Sequence, residues 1–306
     1  MIKVCVMMST YNGADFIEEQ IESIRKQNQV AVDLYIRDDG STDRTVELLR
    51  MYSRYDDIFV WEEKQTGVAD SFWNLLERMG EYEYYAFADQ DDIWDCDKLI
   101  KAVQAIQKTE NYGRPLLYFS SHRKVDRQGE LLWEKPGKTA VASTLGNALI
   151  FSYAQGATMV FNRPLYDNLM KYRPDFKGGG ILHDAWIHKV CLCVGGSIVY
   201  DPEPHISYRI HGGNVVGTYH RKKNILTKFR RIFCLSKKNY HKKAALELLK
   251  GYSDIMPAKN RELVNLLAGY DRNIISRMRL VLSKQVFWPE RKRDIIFRLY
   301  VLTGRA

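Results

Sequence analysis

Cysteine is sparse in this 306-residue chain: Cys5, Cys96, Cys191, Cys193 and Cys234 are odd in number and scattered. That excludes the paired framework of a small disulfide-built domain and leads us to expect a cytosolic protein with reduced thiols. Cys191-Leu192-Cys193 has no second ligand pair to complete a zinc site, so it reads as core packing. No apolar run reaches the roughly 18 residues a spanning helix needs, and residues 1–10 are too short a run for a secretion signal and look like a strand. Glycine-rich loops of the G-x-x-x-x-G-K-[ST] or G-x-G-x-x-G type are missing, which excludes the common phosphate cradles. Internal repeats and low-complexity tracts are missing too. With 45% hydrophobic and 27% charged residues, the chain has the composition of a soluble globular protein. It is long enough for one large domain or two.

Acidic residues run short in one region. Residues 221–306 carry 22 Lys/Arg against 6 Asp/Glu, whereas residues 1–220 carry 24 against 31, and the chain's net charge is +9. A mildly acidic body with a strongly basic C-terminal region suggests that this region meets an anionic surface.

Apolar periodicity alternates between strand and helix. Residues 3–8, 32–36, 58–61 and 84–88 read as strands. Residues 15–26, 42–55 and 69–79 read as amphipathic helices, the first with acids early and bases late, as the helix dipole favours. Such alternation argues for a parallel, doubly wound sheet with its ligand crevice at the carboxyl ends of the strands. Further on, 98–107 is helical and 116–121 and 158–161 are strands. Lys177-Gly178-Gly179-Gly180 is a spacer leading into a helix with Trp186, Ile187 and Val190. A strand near 197–200 precedes Pro202-Glu203-Pro204, and from about 221 the chain is helical and basic.

Two acidic clusters end neighbouring strands: Asp38-Asp39 and Asp89-Gln90-Asp91-Asp92. Crowded carboxylates repel one another unless a cation sits among them, and oxygen ligands of this kind suit Mg2+ or Mn2+. Without a glycine cradle, a bound diphosphate would rely on such a metal, which points at Asp91. Asp39 can accept from a pyrimidine N3–H, and Tyr11, in the turn that begins at Ser9, can pack against the base. Asp38 and Asp39 are equally turn-forming residues. Trp94 and Trp186 are either apolar faces for a sugar ring or core residues. Asp184 behind the triglycine spacer is suited to a closing loop, or is simply an acid stabilised by a helix N-terminus.

Ser9-Thr10-Tyr11-Asn12-Gly13, Asp38-Asp39-Gly40-Ser41-Thr42-Asp43 and Asp89-Gln90-Asp91-Asp92-Ile93-Trp94 with Asp97-Lys98-Leu99 resemble the successive signatures of family-2 glycosyltransferases of the GT-A fold. The likeness continues through residues 156–162, His183-Asp184 and Tyr208-Arg209-Ile210-His211-Gly212-Gly213-Asn214, where it is similar to bacterial rhamnosyltransferases of surface polysaccharide synthesis. It implies an α/β fold with a mixed sheet flanked by helices and a basic helical C-terminal extension. Its catalytic domain would span 1–217, divided into a nucleotide-binding half (1–115) and an acceptor-binding half (116–217), with 218–306 as the extension. It implies Tyr11 and Asp39 at the nucleobase, with Ser9 in the same turn, and Asp89 near the ribose. Asp91 would ligate Mn2+ or Mg2+, approached by His211 from the far side, and Asp184 would be the general base. The position before the base is often Glu in the family; here it is His183.

The implied reaction is an inverting, metal-dependent transfer of a sugar onto a lipid-linked saccharide. The implied donor is dTDP-L-rhamnose, or alternatively a UDP-sugar of glucose, galactose or N-acetylglucosamine. A sugar-phosphate nucleotidyltransferase would open on a different, glycine-rich loop, and a non-catalytic nucleotide-sugar-binding module is the other alternative. The basic region mixes Lys/Arg with apolar positions such as Phe287 and Trp288, as interfacial helices on anionic lipid do. That gives a peripheral protein on the cytoplasmic face of the plasma membrane. A solvated helical face or a homodimer contact is the competing reading, and no motif favours nucleic acid.

Overall fold

The computed structural model describes residues 1–110, 112–133, 143–176, 181–212 and 240–304. Among the described residues nine strands form one sheet in the order β3-β2-β1-β4-β8-β6-β9-β5, with β7 paired to β6. They are β1 Ile2–Thr10, β2 Val30–Asp38, β3 Ile58–Glu62, β4 Tyr84–Ala88, β5 Ile93–Trp94, β6 Leu116–Val125, β7 Leu131–Trp133, β8 Val160–Asn162 and β9 Ser197–Arg209. The first four in the sheet order are parallel, and β8 runs antiparallel to both β4 and β6, so the sheet is mixed, as expected. The helices are α1 Ile17–Arg25, α2 Thr45–Tyr52, α3 Val68–Leu76, α4 Lys98–Gln107, α5 Leu145–Ile150, α6 Arg163–Leu169, α7 His183–Cys193, α8 Tyr240–Tyr252, α9 Ala258–Ala268, α10 Ile274–Val281 and α11 Arg291–Leu302.

β4 is buried at all five positions, which is why its Tyr-Tyr-Ala-Phe-Ala run carries no polar residue. α1 buries Ile17, Ile21 and Ile24 against that sheet and places Glu18 and Glu19 in its first turn and Arg25 in its last. The register pairs Thr10 with Asp38 and Met8 with Ala88. The carboxyl ends of β1, β2 and β4 therefore lie side by side. Three polar segments, 9–13, 39–43 and 89–92, emerge along one edge.

Two features depart from the sequence reading. β9 runs thirteen residues rather than ending near Tyr200, continuing through Pro202 and Pro204. A register shift against β6, where Ser120 pairs with Asp201 and Ser121 with Pro204, leaves Pro202 and Glu203 outside the ladder, so the missing N–H of Pro202 interrupts no pairing. The short β5 returns Ile93 and Trp94 to pair with Ser207 and Ile206.

The chain divides into two compact units. One comprises Met1–Val141, Ala154–Met170 and Gly196–Thr218; the other comprises Ala142–Tyr153, Lys171–Gly195 and Tyr219–Ala306. α8 to α11 thus share a unit with α5 and α7. The triglycine spacer at 177–180 and the first part of the basic region, 213–239, lie outside the described residues. Among the described residues no helix is long and apolar enough to cross a membrane.

Candidate active site

In the first unit the turn after β1 is held from two sides. Gln90, in the middle of the second acidic cluster, accepts from the Tyr11 amide (2.8 Å) and donates to the Tyr11 carbonyl (3.1 Å). Gly13 leaves room for this side chain, since a Cβ there would lie 2.3 Å from Gln90 Oε1 and displace it from these bonds. Asn12, at φ 49°, accepts from the Thr42 amide (2.8 Å) while its own amide donates to Ser41 (2.8 Å). Gly13 and Ala14 donate to Thr45 and Asp43. Burial alone would raise the Asp43 carboxyl, but donors from Thr45 and Ala14 outweigh it and hold it below the usual range. The Tyr11 side chain stays 43% exposed, available as a face for a planar ring.

The pair after β2 divides its work. Asp38 accepts from Thr10, from the Gly40 and Ser41 amides and from the Ser41 hydroxyl, so it builds the turn. Asp39 Oδ1 accepts from Arg37 (2.5 Å) and from the amide and hydroxyl of Thr66; its Oδ2 accepts from the Gly67 amide (2.8 Å). Arg37, 1% exposed, also bonds Glu63 (2.9 Å), the Lys64 carbonyl and Ser71. Ser71 in turn lies 2.5 Å from Ser9 Oγ. Ser9, Arg37 and Asp39 are one connected polar network.

The three carboxylates after β4 part company. Asp89 is half-buried at the rim. Asp91 Oδ2 lies 2.6 Å from His211 Nε2, and the His211 ring packs on Phe16 at 4.7 Å between centroids. Asp92 turns inward and is fully buried; its Oδ1 accepts from the Arg209 amide (3.2 Å). Arg209, itself 1% exposed, donates to the Asp91 carbonyl (2.9 Å), the Arg127 carbonyl (2.6 Å) and Glu19 (2.5 Å), so the far end of β9 clamps the acidic loop. Burial, and then the charges of Asp89 and Asp91, push the Asp92 carboxyl well up. Beneath it the buried Lys98 ammonium sits 3.5 Å from the centre of the Trp94 ring. Burial lowers Lys98 to about 7 against the opposing pull of Asp92. Trp94 is 4% exposed, so its ring supports the loop from within.

A second group of possible ligands, Asp95, Asp97 and His205, brings its ligand atoms within 4.8 Å of one another. Its members already have partners: Asp95 binds Arg123, Asp97 binds Lys101 (2.7 Å), and His205 bonds Asp201 (3.0 Å).

His183 and Asp184 belong to the second unit, opening α7. Asp184 is half-buried and accepts from the Ala185 amide (2.6 Å); His183 is buried. One turn on, Lys189 is 2% exposed and donates to the Ala185 carbonyl (3.3 Å). Burial lowers its ammonium to about 8, with the charge of Asp184 working the other way. Burial also pushes Tyr240 up to about 12, and Asp184 adds to that rise.

With this geometry in view, comparison with known proteins identifies the chain's relatives. The model of glycosyl transferase family 2 matches residues 5–168. The chain belongs to that family. Across 96% of its length it is 28% identical to the dTDP-rhamnosyl transferase RfbG of Shigella flexneri, covering 98% of that protein. It is 36% identical to the putative teichuronic acid biosynthesis glycosyltransferase TuaG of Bacillus subtilis (strain 168), over 33% of this chain and 40% of that one. Among solved structures, S. aureus TarS 1-349 in complex with UDP matches with a TM-score of 0.56 at 16% identity, over 92% of this chain and 76% of that one. The mannosyltransferase PcManGT from Pyrobaculum calidifontis, in complex with GDP-Man and Mn2+, matches with a TM-score of 0.52 at 18% identity, over 98% and 85%. At such identity these likenesses speak for the fold, which is the GT-A glycosyltransferase fold.

For this family-2 glycosyltransferase the structure brings Ser9, Tyr11, Asp39, Asp89, Asp91 and His211 to one edge of the first unit's sheet. It also exposes residues that sequence reasoning passed over. Gln90, given no role among the acids, joins two loops. Arg37 gave one available signal, a cation within a largely apolar strand, and Lys98 lay in a quoted motif at the head of an amphipathic helix. Arg209 lay within a quoted motif, but its target is 118 residues away in sequence.

Proposed function

We propose that this glycosyltransferase moves L-rhamnose from dTDP-L-rhamnose onto a lipid-linked oligosaccharide of a cell-surface polysaccharide, with inversion, at the cytoplasmic face of a membrane. The observation that carries the reading is the meeting of the Tyr11 turn, the Asp39 loop and the Asp91–His211 pair at one sheet edge. The end-to-end likeness to a dTDP-rhamnosyl transferase supports the choice of donor.

Asp39 keeps a lone pair on Oδ2 beside the Gly67 amide for a pyrimidine N3–H, and Tyr11 covers the base. Asp89 takes the ribose. Asp91 and His211 would hold a divalent ion: the carboxylate oxygen is the donor suited to Mn2+ or Mg2+, and the imidazole nitrogen now hydrogen-bonded to it at 2.6 Å would turn to the same ion. The ion, when bound, stabilises the charge that grows on the leaving diphosphate. Asp184 takes the proton from the acceptor hydroxyl as that oxygen attacks the anomeric carbon from the face opposite the diphosphate. In this reading residues 1–115 hold the donor, 116–217 the acceptor, and 218–306 the membrane.

The test is donor hydrolysis and transfer with Mn2+ across dTDP-, UDP- and GDP-sugars. Release of dTDP from dTDP-L-rhamnose, abolished in Asp91→Asn, is the expected result. Preference for a UDP-sugar would replace the donor and leave the transferase reading in place. No turnover of any donor, with no thermal stabilisation by dTDP or UDP plus Mn2+, would leave a binding module instead. Asp184→Asn is expected to keep donor binding and lose transfer by about two to four powers of ten.

A further inference from the structure

α10 and α11 carry an apolar surface on the wrong side. In α10 the buried residue is Leu280, yet Ile274, Ile275, Met278 and the following Leu282 are 63%, 69%, 40% and 71% exposed. At 3.6 residues per turn these four fall within about 100° of arc, opposite Leu280. α11 repeats the pattern: Phe297 and Val301 are buried, while Ile295 and Leu299, on the other side, are 52% and 55% exposed. The two helices run antiparallel in one unit, with Arg277 bonding the Leu302 carbonyl and Arg298 bonding the Val281 carbonyl.

Cations edge both arcs. By the same helical spacing Arg277 and Arg279 flank the α10 arc, and Arg291 and Lys292 flank Ile295 and Leu299. Residues 271–304 hold eight Lys/Arg against three Asp/Glu. Each of those acids is taken: Asp271 by Lys242, Glu290 by Arg293 and Asp294 by Arg298. The arcs are aliphatic, with a positive border and no free acid at hand. A second copy meeting the same face would bring a positive border against a positive border, which disfavours self-association. An anionic bilayer offers apolar chains to the arcs and negative headgroups to their borders.

We propose that the outer faces of α10 and α11 are a membrane-docking surface for anionic lipid, Ile274, Ile275, Met278, Leu282, Ile295 and Leu299 entering the headgroup boundary with Arg279, Arg291 and Lys292 at the phosphates. This rests on the membrane reading of the basic region and assigns it a face. The experiment is co-sedimentation of the full chain with phosphatidylcholine vesicles with and without phosphatidylglycerol, alongside light scattering and thermal unfolding. Binding to the anionic vesicles alone is expected. Ile275→Ser/Leu282→Ser should lower it at least tenfold with unfolding unchanged, since both side chains are exposed. Arg291→Gln/Lys292→Gln should lower it roughly fivefold per charge and flatten its salt dependence. Failure of the full chain to bind would overturn the membrane reading as well. Full binding unaltered in both variants would overturn this face alone and move the contact elsewhere. A dimer that dissociates in Ile275→Ser/Leu282→Ser would assign the face to a second copy and refute the proposal.

Discussion

Lys98→Met offers a test of the buried charge beneath the acidic loop. The Lys98 ammonium is fully buried and rests on the Trp94 ring, and among the described residues it has no hydrogen-bond acceptor and Asp92 Oδ2 has no donor. Burial lowers Lys98 from the ordinary 10.5 to about 7. Between those limits the unfolded chain holds a proton that the folded chain does not. Lys98 therefore makes the folded state gain stability as pH rises from about 7 to 10.5, and that gain is lost as pH falls back. The slope approaches about 1.4 kcal/mol per pH unit, on the order of 4 kcal/mol across the window. Lys98→Met removes it. Urea unfolding of the two proteins at half-unit steps, under reducing conditions, should give curves that diverge with rising pH, because other titrating groups cancel in the difference. Asp92→Asn takes away the one charge that favours the ammonium, so its rise should begin below pH 7. The double variant should be flat and recover much of any loss, as replaced buried pairs do. Parallel pH curves for the parent and Lys98→Met would refute the reasoning outright.

Three further perturbations probe other buried groups. His122, His188 and His241 are held neutral by burial, at about 4, 3 and 4, so stability present above pH 6.5 should drain as pH falls toward 4. His188→Gln should make that acid limb shallower in a pH series of unfolding midpoints; an identical limb would contradict the assignment. Gly146→Ala places a Cβ 1.9 Å from the Gln285 backbone carbonyl, which cannot swing aside, so thermal unfolding should show a loss of at least about 2 kcal/mol. Arg37→Met strips two carboxylates, Asp39 and Glu63, of a buried partner. A cost of about 3–5 kcal/mol is expected, with weakened dTDP binding by calorimetry; unchanged stability would show the network to be dispensable.

Much of this molecule was legible in its sequence because periodicity is a local property. Residues 84–88 and 98–107 read as the strand and helix that β4 and α4 prove to be, and the ends of β1, β2 and β3 were missed by no more than two residues. Helix ends were overrun: α2 begins at Thr45 rather than 42, because the Asp43 side chain bonds the Thr45 amide and Ala14 instead of joining the helix. β9 was cut short at its prolines, since a bulge is a property of two strands and one strand's sequence does not announce it.

By itself the sequence determined the alternation of strand and helix, the acids at the strand ends, and the motifs that align the chain with its family. These are encoded within windows of a few residues, where side-chain period and turn chemistry suffice. Only the tertiary structure decided what each acid bonds. Asp38 and Asp39 look equivalent in sequence, as do Asp91 and Asp92. Arg37, reaching across from the strand's interior, selects Asp39. Arg209 and His211, brought from the far end of the sheet, hold Asp92 fully inward and Asp91 against the imidazole. The field at a carboxylate comes from whatever the fold packs against it, and those neighbours lie up to 120 residues away along the chain.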